Sequence, residues 1–270
     1  MILYFSGTGN SRYVAELLAQ QLKEKVFPIF DISPANVEWS DMGLGIVCPV
    51  YSWGIPPLVL NYISSIPVQA NSTHHRPIWV VLTCGDETGM APEMIVDACA
   101  KTGLKLQGIW SVIMPNNYVL LPGFDVDPTD VEQQKLSQAP TRIRTIAQAV
   151  IKGEEGIDVT RGSWAWIKTK LVYPLFKRWG MIPRKWKWTK ECLQCGKCAK
   201  ACPIGNIEMR GNHPRWHDKC VSCLACYHSC PVHAVSYGNM TSSKGQYECR
   251  LKAVNIKYTQ KYLDSCGREI

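Results

Sequence analysis

No stretch of this 270-residue chain approaches the roughly 18 consecutive apolar residues that a membrane-spanning helix needs, although 46% of it is hydrophobic. The opening run, Met1-Ile2-Leu3-Tyr4-Phe5, lacks the basic n-region and long apolar core of an export signal. A soluble, cytoplasmic protein is therefore expected. Acidic side chains are scarce in the second half: residues 159–270 hold 6 Asp+Glu against 20 Lys+Arg, whereas residues 1–158 hold 16 against 10. The overall charge of +8 thus conceals an acidic half and a strongly basic one. The six histidines form no ligand-spaced set beside a carboxylate, which removes histidine-based metal sites. A Gly-Lys-Ser/Thr ending is also missing from the first glycine loop, which reads Gly9-Asn10-Ser11 and so excludes a nucleotide P-loop.

Cysteine, by contrast, is abundant. Thirteen are too many for ordinary cytosolic packing, and the chain is far larger than the small secreted domains that rely on disulfides. Metal ligation is the better account. The length suits one sizeable core and a second, smaller unit.

Residues 2–5 form a short apolar run, followed by Ser6-Gly7-Thr8-Gly9-Asn10-Ser11 and a helical pattern with Val14, Leu17, Leu18 and Leu22 on one face. The strand-turn-helix cycle recurs with strands at 26–30, 44–50, 78–82 and 104–114, and helices at 57–66, 91–101 and 130–151. Five strands alternating with helices predict an α/β fold with a parallel sheet covered on both faces. In such sheets the loops at the C-terminal strand ends gather the ligand, here 6–11, 49–56 and 83–89.

The first loop has the chemistry for a terminal phosphate. Glycines admit close backbone approach, N–H groups converge at a helix N-terminus, and Ser6, Thr8 and Ser11 offer hydroxyls. A dinucleotide fingerprint would require glycine at Arg12, although Asp31 stands near its acidic position; a plain helix cap after a tight turn is a further reading.

Ser6-Gly7-Thr8-Gly9-Asn10-Ser11, directly after the first strand, resembles the phosphate loop of flavodoxins. The resemblance covers about residues 1–155 and implies a doubly wound five-stranded sheet of order 2-1-3-4-5 that binds FMN. It assigns the ring-flanking role to Pro49, Tyr51, Trp53 and Gly54 in one loop and to Thr83, Cys84, Gly85, Asp86 and Gly89 in another. Tyr51 and Trp53 are candidates to stack on a planar ring, or to brace the loop against Pro56. The Asn-rich turn Met114-Pro115-Asn116-Asn117-Tyr118 should emerge on the same edge, either as a plain turn or in contact with flavin or substrate.

Residues 159–190 contain nine basic residues, no acidic ones, and seven large aromatics: Trp164, Trp166, Tyr173, Phe176, Trp179, Trp186 and Trp188. The favoured expectation is a helix whose Trp164, Ile167, Leu171 and Leu175 stripe packs two domains together. Docking of an acidic partner or anionic substrate stands second. Nucleic acid and membrane stand last, the membrane reading weakened because Pro174 and Pro183 interrupt a long amphipathic helix.

Cys192-x-x-Cys195-x-x-Cys198-x-x-x-Cys202-Pro203 recurs 28 residues on as Cys220-x-x-Cys223-x-x-Cys226-x-x-x-Cys230-Pro231. Three close thiolates can wrap one cubane while the fourth, turned away by proline, reaches another. That assigns Cys192, Cys195, Cys198 and Cys230 to one 4Fe-4S cluster, and Cys220, Cys223, Cys226 and Cys202 to a second. A zinc ribbon has no use for the third and fourth cysteines of each run. Residues 188–238 resemble bacterial two-cluster ferredoxins, departing at Asn206. Cys48, Cys84, Cys99, Cys249 and Cys266 fall outside the pattern as idle thiols.

The expected organisation is a flavodoxin-like FMN domain at 1–157, a basic aromatic linker at 158–187, a small α+β domain for two 4Fe-4S clusters at 188–240, and a tail at 241–270. The whole resembles the flavodoxin-ferredoxin fusion proteins of anaerobic bacteria. That implies an iron-sulfur flavoprotein oxidoreductase served by an external electron donor or acceptor protein, with a small-molecule substrate over the flavin. A carrier without its own substrate and a redox-sensing interaction protein are the alternatives.

Overall fold

The computed structural model describes residues 1–67, 76–120, 123–180 and 182–251. Cys266 and the end of the expected tail lie outside them. Six strands form the main sheet: β1 (Ile2–Tyr4), β2 (Val26–Pro28), β3 (Leu44–Pro49), β4 (Ile78–Cys84), β5 (Leu106–Ile113) and β6 (Gly156–Asp158). Their order is β2-β1-β3-β4-β5-β6, every neighbouring pair parallel.

Successive side chains of a strand point to opposite faces, and here both sets are apolar. Leu3, Ile46 and Val80 enter one core with the helices α2 (Pro57–Ser64) and α3 (Ala91–Thr102). Ile2, Val47 and Val81 enter the other with α1 (Asn10–Leu22) and α4 (Thr129–Lys152). Two-sided burial is what a parallel sheet requires and why its strands read as continuous apolar runs. The expected order 2-1-3-4-5 stands, but the sheet has six strands rather than five. Gly156–Asp158 adds to the β5 edge with all three residues exposed, so it carries no apolar run for a sequence to reveal.

The second unit is small. Strands β7 (Trp186–Trp188) and β10 (Val235–Tyr237) pair antiparallel, as do β8 (Ile207–Arg210) and β9 (His213–Trp216). The 28-residue repeat extends to backbone conformation: Gln194 and Ser222, Gly196 and Leu224, and Gly205 and His233 are three equivalent pairs with positive φ. Among the described residues no helix is long and apolar enough to cross a membrane.

The linker departs from expectation. Residues 165–180 run as one helical segment through Pro174, alternating short α stretches with two π-helical turns at Lys168–Val172 and Phe176–Gly180. The wider π turns accommodate the missing proline N–H that would break a regular helix. Trp164, Ile167, Leu171 and Leu175 face solvent, and Thr169, Tyr173 and Phe176 face inward. The buried side is chosen by hydrogen bonding more than by apolarity. Thr169 Oγ1 donates to the Trp53 carbonyl at 2.7 Å and accepts from Met90 N at 2.9 Å, and Tyr173 donates to the Ile55 carbonyl. Thr169→Val should therefore lower unfolding free energy by about 1–3 kcal/mol, since it strands two backbone groups, whereas Leu171→Ser should stay within about 0.5 kcal/mol. Urea midpoints of the two variants measure the contrast.

The two units interlock. Val119 and Leu120, from the segment after β5, belong to the apolar core of the cysteine-rich unit. His228 is buried between Asn117 O (2.8 Å from Nε2) and Tyr247 N, which donates to Nδ1 at 3.1 Å. Those partners assign the neutral ring with its proton on Nε2, in keeping with burial, which drives its pKa down to about 4.

Candidate functional site: a cleft walled by a cysteine motif

The loops after β1, β3, β4 and β5 leave the same sheet edge and enclose a cleft that opens to solvent. Of the residues expected to bind a cofactor, Ser6, Gly7, Thr8, Asn10, Ser11, Pro49, Tyr51, Trp53, Thr83, Cys84, Gly85 and Asp86 line it. Gly9, Gly54 and Gly89 do not, because each packs against protein. A Cβ on Gly9 would lie 2.4 Å from the Cys249 carbonyl, one on Gly54 2.4 Å from the Tyr173 ring, and one on Gly89 2.7 Å from Thr169 Oγ1.

At the cleft floor, α1 begins directly after Gly9, whose φ of 95° turns the chain into the helix. The first turn of any α-helix leaves four N–H groups without intrahelical acceptors, and the dipole there favours an anion. The hydroxyls are held by neighbours: Ser6 Oγ accepts from Gly9 N at 3.1 Å, Ser11 Oγ and Thr83 Oγ1 share a hydrogen bond of 2.8 Å, and Asn117 Nδ2 donates to Thr8 Oγ1. These bonds tie the loop to two other segments, at Thr83 and Asn117.

Trp53 sits with Ser52 in a tight turn, φ 62° and 47°, closed by reciprocal backbone bonds between Tyr51 and Gly54. Left-handed backbone at a bulky residue is uncommon and stores strain that only its surroundings can hold. Here Trp53 Nε1 donates to Glu87 at 2.7 Å, and Lys168, paired with that same carboxylate, lies 5.3 Å from the indole centroid. The indole is consequently fixed at the cleft wall.

The opposite rim is polar. Lys135 bridges Asp127 at 2.7 Å and Asp86 at 3.1 Å, while Asn116 donates to Asp86 at 3.0 Å. Burial pushes the Asp86 carboxyl up, but the Asn116 and Lys135 hydrogen bonds outweigh it and hold the group below its usual range. Burial pushes the Cys84 thiol to about 12, so it stays protonated in the wall. The Tyr118 hydroxyl is buried without a protein partner and its pKa is raised, which keeps it a hydrogen-bond donor. Asn116, Asn117 and Tyr118 all line the cleft, so the Asn-rich turn is part of the site rather than a plain connection.

One wall comes from the other unit. Cys223 lines the cleft, and its carbonyl would meet a Cβ placed on Gly7 at 2.1 Å. Nothing in the local spacing of either motif announces this contact. Cys249 is a buried free thiol, as expected, and its backbone ties down the first loop: its N–H donates to the Thr8 carbonyl at 2.8 Å, its carbonyl accepts from Arg12, and the nearby Tyr247 hydroxyl donates to Asn10 at 2.7 Å.

Behind this wall the eight motif cysteines gather in two sets. Cys202, Cys220, Cys223 and Cys226 line one void. Cys192, Cys195, Cys198 and Cys230 line a second nearer the surface, where Cys195 is exposed. Among the described residues no three His, Cys, Asp or Glu side chains converge as they would on one metal ion. Four thiols arranged around a void fit a multinuclear cluster better than a tetrahedral zinc, whose ligands close on a point.

Residues 184–231 match the family model described as a 4Fe-4S dicluster domain. The C-terminal unit is accordingly a 4Fe-4S cluster-binding domain of the electron-transfer type. No curated protein matches the chain. Among solved structures it is similar to the rubredoxin:oxygen oxidoreductase from the anaerobe Desulfovibrio gigas, at 16% identity and a TM-score of 0.34 over 56% of this chain and 36% of that one. The chain thus spans about a third of that protein's length.

Proposed function

We propose that the protein is an iron-sulfur flavoprotein oxidoreductase of the flavodoxin-ferredoxin fusion type, relaying electrons between two 4Fe-4S clusters and FMN to reduce a small molecule. The observation that carries this reading is Cys223, a motif cysteine that also walls the cleft. When bound, the clusters would supply one-electron transfer and the flavin would convert single electrons into a pair.

The chain's own residues have separable tasks. Cys202, Cys220, Cys223 and Cys226 would hold the cluster beside the cleft, and Cys192, Cys195, Cys198 and Cys230 the one nearer solvent, where an external redox protein could reach it. The α1 N-terminus with Ser6, Thr8, Asn10 and Ser11 would take the phosphate. Tyr51 and Trp53 would flank the ring and exclude water. Asp86, Asn116 and Tyr118 leave polar groups at the rim of an open cleft, which favours a substrate-reducing enzyme over a carrier whose flavin edge lies flush with the surface.

Iron, acid-labile sulfide and flavin content of the anaerobically purified full chain tests the reading, with about eight irons and one FMN per chain expected for two cubanes. Thr8→Ala with Ser11→Ala should lower flavin affinity by about tenfold or more while leaving iron unchanged, as the loss of two hydrogen bonds to a charged group predicts. Retention of flavin at wild-type affinity would remove this loop as the phosphate site.

A further inference from the structure

The 28-residue repeat permits the two cysteine sets to be compared position by position. Their backbone donors match: Asn206 N donates to Cys202 Sγ at 3.2 Å, and Ala234 N, its equivalent, donates to Cys230 Sγ at 3.2 Å. The side chains do not match. Trp186 and Trp216 stack with centroids 6.3 Å apart and an interplanar angle of 18°, and both line the void of Cys202, Cys220, Cys223 and Cys226. Each indole Nε1 is buried and has no hydrogen-bond partner among the described residues. They share that void with the thiols of Cys202, Cys220, Cys223 and Cys226, whose sulfurs would be acceptors for them once ligated as thiolates. The other void has no indole, and its side-chain N–H donors, Gln194 and Lys197, are exposed.

We propose that Trp186 and Trp216 donate Nε1–H···Sγ hydrogen bonds to the ligated thiolates of the cleft-side cluster and thereby raise its reduction potential. This rests on the reading that these four cysteines hold a 4Fe-4S cluster. Adding one electron to a buried cluster adds negative charge where little water can solvate it, which lowers the potential. Two fixed dipoles aimed at the sulfurs oppose that effect, so the buried cluster need not be a barrier between its exposed counterpart and the cleft. No bond is made or broken and no proton moves; each indole acts as a positioning residue. The pairing is also asymmetric by construction, since only one of the two cysteine sets receives it.

The test is an EPR-monitored reductive titration, with dithionite as reductant, of the anaerobically loaded full chain and of Trp186→Phe, Trp216→Phe and the double variant. Phenylalanine keeps an aromatic filler and removes the N–H. Each single variant should shift the reduction equilibrium of one cluster by roughly tenfold against the reduced form, about 59 mV for one electron, with the other cluster moving far less. The difference between spectra in ordinary and deuterated buffer should lose the indole N–H contribution for that cluster in the double variant, leaving that of backbone donors such as Asn206 N. Unchanged potentials with full iron in both single variants would overturn the proposal, and so would equal shifts of both clusters, which would mark a merely structural role. If Trp186→Phe cannot be loaded with iron, Trp216→Phe, on a different strand, decides the matter. Wild-type iron and sulfide corresponding to fewer than two cubanes would instead refute the underlying cluster reading, a result visible before any potential is measured.

Discussion

Gly7→Ala is expected to separate the cleft from the cysteine-rich unit. The added Cβ would lie 2.1 Å from the Cys223 carbonyl, which is backbone and cannot rotate aside. Either the loop after β1 or the turn at Cys223 must move, and both are held by neighbours. Overpacking of this kind costs about 1–3 kcal/mol and sometimes more. The larger consequence is functional: in stopped-flow mixing with dithionite, iron signals should be reduced at the wild-type rate while flavin reduction lags behind them. Gly43→Ala is a harsher control for overpacking alone, because its Cβ would also meet a backbone carbonyl, that of Pro77, at 1.9 Å and its φ of 84° adds strain, with no contact to Cys223 among its nearest neighbours. A Gly7 variant in which flavin and iron are reduced together as in the wild type would show that the contact at Cys223 does not carry electrons.

Cys202→Ser should have the second large effect. Cys202 follows the first motif in sequence but lines the void of the second with Cys220, Cys223 and Cys226. Its loss should lower iron by about half and remove the cluster adjacent to the cleft, whereas Cys195→Ser should remove the exposed one. The two variants should therefore differ in kind. With Cys195→Ser the remaining cluster still borders the cleft; with Cys202→Ser it does not, and flavin reduction by a protein donor should fail. An iron content and spectrum unchanged by Cys202→Ser would refute the cross-ligation scheme.

Much of this was legible in the residues, for identifiable reasons. The cysteine sets could be read because cubane ligation imposes fixed spacing, and the strands of the main sheet because two-sided burial imposes apolar runs. Gly156–Asp158 escaped notice because an exposed edge strand is specified by its partner's backbone and not by its own side chains. In the linker, the inner face differs from the one that helical periodicity predicts. Regular helical periodicity picked out Trp164, Ile167, Leu171 and Leu175, but π turns shift the register, and the loop at Trp53 demanded the hydroxyls of Thr169 and Tyr173. Glycines in the first loop were read as room for a phosphate, yet the space before Gly7 and Gly9 is filled by the backbone of Cys223 and Cys249. Contacts between distant backbone segments leave no side-chain pattern, so they are the part a single sequence conceals.

The segment at 245–249 bears on how the molecule is made. Gly245 N binds Asp125 at 2.9 Å, and Tyr247 and Cys249 then reach back to Asn10 and Thr8. The sheet that carries residues 6–11 can form as soon as its own strands have left the ribosome, since domains fold as units during synthesis. Its first loop, however, acquires its last protein partners only when residue 249 has emerged, after both cysteine motifs. The earliest-translated loop is therefore completed by a strap translated only after both cysteine motifs, so its final arrangement waits on nearly the whole chain.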